Sequence, residues 1–263
     1  MLEQMGGIAM DLEQIYDRFD EEKRLNNGRN SSRVEFLTTT HWIDQRLQPG
    51  CRILDIGAGT GAYSLHYAGQ GYRVTAVEPV EKHLDILMRH VRPCMDIQPI
   101  LAEGTDLSQL KEHSYDVVLC LGPLYHLEGE GRRQCIQQAK RLCRPGGSLF
   151  FAYLSHDMVF ATEAFLHQKE PLRGKNYGPD QRLTPGPFTF LTPPEAVALL
   201  EGEGLRVTGH FAADGLAELM GAQMDAWDEA QFQEWMRFHL SICAKPEWLG
   251  ASNHCVVEAA LAE

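Results

Sequence analysis

The sequence predicts an α/β fold built on a mostly parallel sheet. Three observations point there. Strand-like and helix-like segments alternate from about residue 51 to 155, the rhythm of βαβ units. The first strand-like run, Cys51 to Ile56, ends at a glycine-rich turn. Farther on, Tyr115 to Leu121 is almost continuously apolar, as expected of a strand buried on both faces.

Cys51 to Ile56 is apolar and β-branched, and Ala62 to Gly69 reads as the helix after its turn. Tyr72 to Val77 is the second strand. Glu81 to Val91 has helical periodicity and stops before Pro93. Ile97 to Ala102 is the third strand and Tyr115 to Leu121 the fourth. Gly131 to Cys143 reads as an amphipathic helix, stopped by Arg144-Pro145-Gly146-Gly147, with Ser148 to Leu154 as the fifth strand. The rhythm then breaks. Residues 156 to 192 are rich in Pro, Gly and polar groups, and a loop this long in a compact domain suits a lid or ligand-binding element. Pro193 to Glu203 returns to helix, Leu205 to Ala212 is a sixth strand, Leu216 to Ile242 a helical insertion, and Asn253 to Leu261 a last strand. The expected organisation is a helical cap segment over 1–45 and one domain over 46–263. Lid or cap insertions fall at about 156–192 and 214–252.

Composition narrows the function. Of the 263 residues 44% are hydrophobic, enough for a sizeable core, yet no run approaches the ~18 to 20 apolar residues of a membrane span. Met1 to Asp20 is acidic and lacks the apolar stretch of a secretory signal. Seven scattered cysteines form no CxxC pair, which fits a reduced cytoplasm better than a disulfide framework or a metal site. A net charge of −12 argues against nucleic acid, whose binding is dominated by Lys and Arg on phosphates. Arg132, Arg133, Lys140, Arg141 and Arg144 make a local basic group, but their spacing reads as a solvated helix face.

The turn Asp55-Ile56-Gly57-Ala58-Gly59-Thr60-Gly61 has a physical job. Glycines let the backbone come close to a ligand and take positive φ, and the helix that follows offers free N–H groups and a positive dipole end. Gly57-x-Gly59-x-x-Ala62 also satisfies the dinucleotide pattern, so the turn alone implies only a nucleotide-like ligand. Asp55 lies two residues before the first glycine, where its carboxylate can act near a cationic group. Glu78 ends the second strand, 21 positions after Gly57, a spacing suited to binding ribose hydroxyls.

Taken with Val77-Glu78-Pro79, Gly104-Thr105-Asp106-Leu107, Tyr115-Asp116-Val117-Val118 and Leu142-Cys143-Arg144-Pro145-Gly146-Gly147, the turn resembles the ordered motifs of class I S-adenosylmethionine (SAM)-dependent methyltransferases. The resemblance covers about residues 50 to 155. It implies a doubly wound, seven-stranded sheet of order 3-2-1-4-5-7-6 with an antiparallel last strand, and SAM as cofactor. It further implies that Asp55, Gly57, Ala58, Gly59 and Gly61 line the methionine side, that Glu78 beside Pro79 binds the ribose, and that Glu103, Gly104 and Thr105 contact the adenine. Cys120 and Leu121 would then face the sulfonium, and Tyr16 of the N-terminal segment would close over the cofactor. Many relatives carry Asp where Glu103 stands.

Methyl transfer from a sulfonium is a direct displacement, so the protein mainly aligns and desolvates the reactants. A base is needed only for a protonated nucleophile. The candidates follow the fourth strand in Gly122-Pro123-Leu124-Tyr125-His126-Leu127, with His126 able to take a proton near neutral pH and Tyr125 divided between core and pocket. That segment lacks the Asn/Asp-Pro-Pro-Tyr/Phe of nucleobase N-methyltransferases and the acidic ligands of metal-dependent catechol enzymes, so no metal is expected. A small-molecule acceptor with an N, O or S nucleophile is the resulting expectation. Met and aromatic residues of the insertions are candidate pocket walls. Gly250-Ala251-Ser252-Asn253-His254 is a second polar cluster, most simply a turn. The rival readings are an NAD(P)-dependent oxidoreductase, a non-catalytic SAM-binding regulator, and an RNA methyltransferase, which the charge disfavours.

Overall fold

The computed structural model describes residues 28–166, 182–183 and 188–262. It opens with helix α1 (Asn30–Asp44). One half follows as β1 (Arg52–Ile56), α2 (Ala62–Gly69), β2 (Arg73–Glu78), α3 (Glu81–His90) and β3 (Asp96–Leu101). The next half runs β4 (Tyr115–Cys120), a 3₁₀ turn (Pro123–Tyr125), α4 (Gly129–Leu142), β5 (Cys143–Ser155) and α5 (His156–Leu166). Then come β6 (Phe190–Leu191), α6 (Pro193–Gly202), β7 (Leu205–Ala212), α7 (Gly221–Asp225), α8 (Glu229–Ile242), α9 (Pro246–Leu249) and β8 (His254–Leu261).

The strands form one sheet of order β3-β2-β1-β4-β5-β8-β7, with β8 antiparallel to both its neighbours. This is the expected order once the two-residue β6, which adds parallel to Leu154 and Ser155, is set aside. Sequence reasoning missed β6, since two residues carry no periodicity. The order switches at β1/β4, and strand carboxyl ends on either side of such a switch open a crevice.

Period-two alternation divides the core between the two faces. Leu54, Ile56, Val118, Cys120 and Phe151 pack in one layer with Cys135, Ile136, Ala139 and Leu142 of α4. Ile53, Val117, Leu119 and Phe150 pack in the other with Ile43, Tyr63 and Tyr67. Burying a side chain such as Phe150 or Phe151 contributes about 2–3 kcal/mol. A third, smaller core joins Val34 of α1 to Met224, Phe232 and Met236 of the helical insertion. Those Met and Phe side chains thus hold the cap to α1. The insertion is broken at residues 226–228, where Asp228 and Gln231 form a capping box that starts α8.

Two other expectations shift. The Arg144-Pro145-Gly146-Gly147 stretch lies inside β5, as a bulge between the Tyr115–Cys143 and Val117–Ser148 pairs, instead of before the strand. Gly147 is needed there because a Cβ would sit 2.7 Å from the Asp116 carbonyl oxygen. Asp116 accepts the Arg52 N–H at 2.7 Å and pairs with Arg144, so it ties three strands together at the sheet's amino end, away from the crevice. The basic residues of the α4 region are also engaged. Arg133 pairs with Glu203, Lys140 donates to the Glu203 carbonyl, and Arg141 donates to the carbonyls of Leu107 and Leu110.

The Tyr16 expectation, and most of the 156–192 loop, lie outside the described residues.

Candidate active site

Three chain turns meet over the carboxyl ends of β1, β2 and β4. After β1, Gly57, Gly59 and Gly61 all take positive φ (74°, 54° and 93°). Gly57 and Ala58 donate their N–H groups to the Val77 carbonyl at 2.8 and 2.9 Å, fixing the turn to the end of β2. A Cβ on Gly57 would lie 2.7 Å from Pro123, so only glycine lets the β1 and β4 turns touch.

Glu78 closes β2 as a buried carboxylate, 4% exposed. One oxygen accepts the Gly59 N–H at 2.9 Å. The other accepts the Val80 N–H and meets His83 Nδ1, both at 3.2 Å. Asp55 is 2% exposed and accepts the Ser64 hydroxyl at 2.7 Å. Burial pushes its carboxyl up to about 6, against the Ser64 hydrogen bond and reinforced by the charge of Glu78.

After β4, the 3₁₀ turn is held by Arg132 of α4. Its Nε donates to the carbonyls of Leu124 and Leu127, each at 3.0 Å, and its guanidinium meets the Thr189 hydroxyl. The Thr189 N–H in turn donates to the Tyr125 carbonyl at 2.8 Å. The Tyr125 hydroxyl donates to the Leu121 carbonyl at 3.2 Å. Tyr125, His126 and Phe188 form an aromatic wall of mutually tilted rings, with Tyr125–His126 and His126–Phe188 centroids 4.8 and 5.1 Å apart.

These turns line a cavity that is partly open to solvent. Of the expected site residues it brings together Asp55, Gly57, Ala58, Gly59, Glu78, Pro79, Glu103, Gly104, Leu121, Tyr125 and His126. Thr60, Ala62, Tyr63, Pro123 and Leu127 also line it. Tyr63 was missed because a tyrosine on an amphipathic helix carries no signal of its own.

Three expected residues do not line it. Cys120 is wholly buried with its Sγ 3.7 Å from Cys135 Sγ. Strand alternation turns it toward α4, and the Cys135 contact and burial hold its thiol well above the ordinary range. Gly61 caps α2 and passes so close to Leu87 that a Cβ would fall 2.5 Å from that side chain. It serves α2–α3 packing. Thr105 sits in the turn after β3, behind Glu103 and Gly104.

The donor set suits a cation that also carries hydroxyls. Two buried carboxylates face one cavity, and buried like charges call for a counter-charge. A model of the methyltransferase domain matches residues 53–147, the stretch that builds all three turns. Over that stretch the chain is similar to the methyltransferase domain. The matched residues 53–147 carry β1 through the start of β5.

A thiol S-methyltransferase of Mus musculus is 37% identical over 102 residues, 38% of this chain and 41% of that one. A ubiquinone biosynthesis O-methyltransferase of Pseudomonas entomophila is 29% identical over 119 residues, 44% and 50% of the two chains. The matched stretch therefore spans half or less of these relatives' length. Among solved structures, a 1,6-didemethyltoxoflavin-N1-methyltransferase of Burkholderia thailandensis shares the fold with a TM-score of 0.56. It is 15% identical, and the match covers 100% of this chain and 94% of that one.

Proposed function

We propose that this methyltransferase binds SAM in the cavity over β1, β2 and β4 and moves its methyl group to an N, O or S atom of a small molecule. The observation that carries this is the pairing of the Glu78 carboxylate with the Gly57–Gly59 turn and Asp55 at one cavity. In this reading Glu78 binds the ribose hydroxyls with the lone pairs its protein donors leave open. Asp55 faces the cationic end of the cofactor. Glu103 and Gly104 border the adenine, and Leu121, Tyr125 and His126 border the methyl group and its acceptor. The bound cofactor supplies the electrophilic methyl. The chain aligns the acceptor and keeps water out.

The names of the relatives favour a small-molecule acceptor, one acting on thiols, one in ubiquinone biosynthesis and one on a didemethyltoxoflavin nitrogen. The charge of −12 agrees, since a polyanionic acceptor would be repelled. The test is transfer of labelled methyl from SAM to a panel of amines, thiols and phenols. Label on at least one class supports the reading. SAM binding with no transfer to any would favour the non-catalytic regulator.

A further inference from the structure

Helix α8 of the cap has two faces. Its helical repeat gathers Phe232, Met236 and His239 on the buried side. Arg33 of α1 pairs with Glu229 and lies 4.4 Å over the Phe232 ring, closing that side. The opposite side presents Ala230, Gln231, Glu234, Phe238 and Ser241, all exposed. A shallow groove runs along it, lined by Trp227, Ala230, Gln231, Glu234, Trp235 and Phe238. None of these residues lines the cavity over β1, β2 and β4.

The groove is aromatic. Three of the four tryptophans of the chain, Trp227, Trp235 and Trp248, stand on it or beside it. Phe238 is 47% exposed, and the other large apolar side chains this exposed among the described residues, Met88 and Leu101, sit elsewhere on α3 and β3. Exposed aromatic surface flanked by arginine marks contacts between proteins. The rings touch one another: Trp227–Trp235 and Trp235–Phe238 centroids are 5.8 and 5.6 Å apart. A guest held between two ring faces needs about 7 Å, two contacts of about 3.5 Å. The groove therefore suits a surface laid along it, such as another helix, and not a small molecule or a cation between the rings.

The stripe is complementary to itself. Phe238 projects two turns beyond the small Ala230, and Glu234 pairs with Arg237 between them. Two α8 helices laid antiparallel about a two-fold axis at Glu234 set each Phe238 against Ala230 and Gln231 of the other copy. The same arrangement brings each Arg237 within reach of the other copy's Glu234. Parallel packing would instead set Glu234 on Glu234 and Arg237 on Arg237. We propose that the chain forms an isologous dimer through this face of α8, antiparallel and centred on Glu234. The charge of −12 on each copy opposes association, but at 0.15 M salt screening limits that repulsion to about 8 Å. Close to the contact the charges are Glu234 and Arg237, of opposite sign.

Sedimentation equilibrium of the full chain is the test. The wild type should show a concentration-dependent mass that approaches twice that of one chain by about 100 μM. Phe238→Asp and Arg237→Glu should each weaken the dimer at least tenfold, with Tm unchanged because both side chains are exposed. The double swap Glu234→Arg with Arg237→Glu should recover the dimer to within about threefold of the wild type, since it keeps the pairing across the axis. Should Phe238→Asp fail to fold, Arg237→Glu and the double swap decide alone. A wild type that stays monomeric at about 100 μM leaves the groove to solvent or to a different partner and overturns the proposal. So does a dimer that either single variant leaves unchanged, or one that the double swap fails to recover.

Discussion

Asp55 and Glu78 share a cavity wall, and their difference lies in what surrounds each carboxylate. Glu78 is solvated by backbone N–H groups of Gly59 and Val80. Asp55 has the Ser64 hydroxyl, and burial lifts it to about 6. A carboxyl whose folded pKa lies above its unfolded value costs stability as it ionises. That cost is absent below about pH 4 and complete above about pH 6, and amounts to about 3 kcal/mol. Relative to Asp55→Asn, which does not titrate, the ligand-free protein should therefore lose thermal stability as pH rises from 4 to 7. A difference in Tm that stays flat over that window would contradict the assignment. Both residues were legible in the sequence, because a strand-end carboxylate beside a glycine turn is a local feature. Cys120 was misplaced for the opposite reason. Its spacing from the motif was right, but which face a strand-end side chain takes depends on what packs there, here Cys135 of α4.

At the scale of elements, the loop after β4 owes its shape to a neighbour. Arg132, read in the sequence as part of a solvated basic face, is half-buried and satisfies two loop carbonyls and the Thr189 hydroxyl. Nothing in the spacing of α4 distinguishes it from Arg133, which stays exposed and pairs with Glu203. Arg132→Gln should leave those acceptors short of donors, at a cost of about 1–3 kcal/mol, concentrated in the loop. Hydrogen exchange is the measurement. The amides of His126, Leu127 and Thr189, all bonded within this cluster, should exchange about tenfold faster or more, while those of β1 and β4 hold. Equal acceleration across the sheet would mean that Arg132 supports the whole fold instead of the loop.

The whole molecule depends on the sheet continuing past its parallel part to β8 and β7. Glu258, at the middle of β8, is buried and opposes Gly209 in the β7 bulge. Its only charged partner among the described hydrogen bonds is Arg46, just beyond α1, at 2.5 and 3.0 Å. Arg46→Ala strands a buried carboxylate and should lower global stability by about 3 kcal/mol, read as a shift in the urea midpoint with an unchanged slope. A shift under about 0.5 kcal/mol would show that water replaces the guanidinium. The strand order was legible because five ordered motifs fix the first five strands and the last strand-like run completes the sheet. The cap was less so: Met224, Phe232 and Met236 carry the same helical spacing whether they line a pocket or a core, and the contact with Val34 is what decides.

The central claim, that the cavity beneath these turns is built for SAM and gripped by Glu78, is tested most directly by calorimetry. The wild type and Glu78→Ala are titrated with SAM, S-adenosylhomocysteine and NAD. The account predicts saturable binding of the first two at about one per chain, none of NAD, and at least a tenfold loss of SAM affinity in Glu78→Ala. Binding of NAD in place of SAM, or an affinity for SAM that Glu78→Ala leaves unchanged, would contradict it.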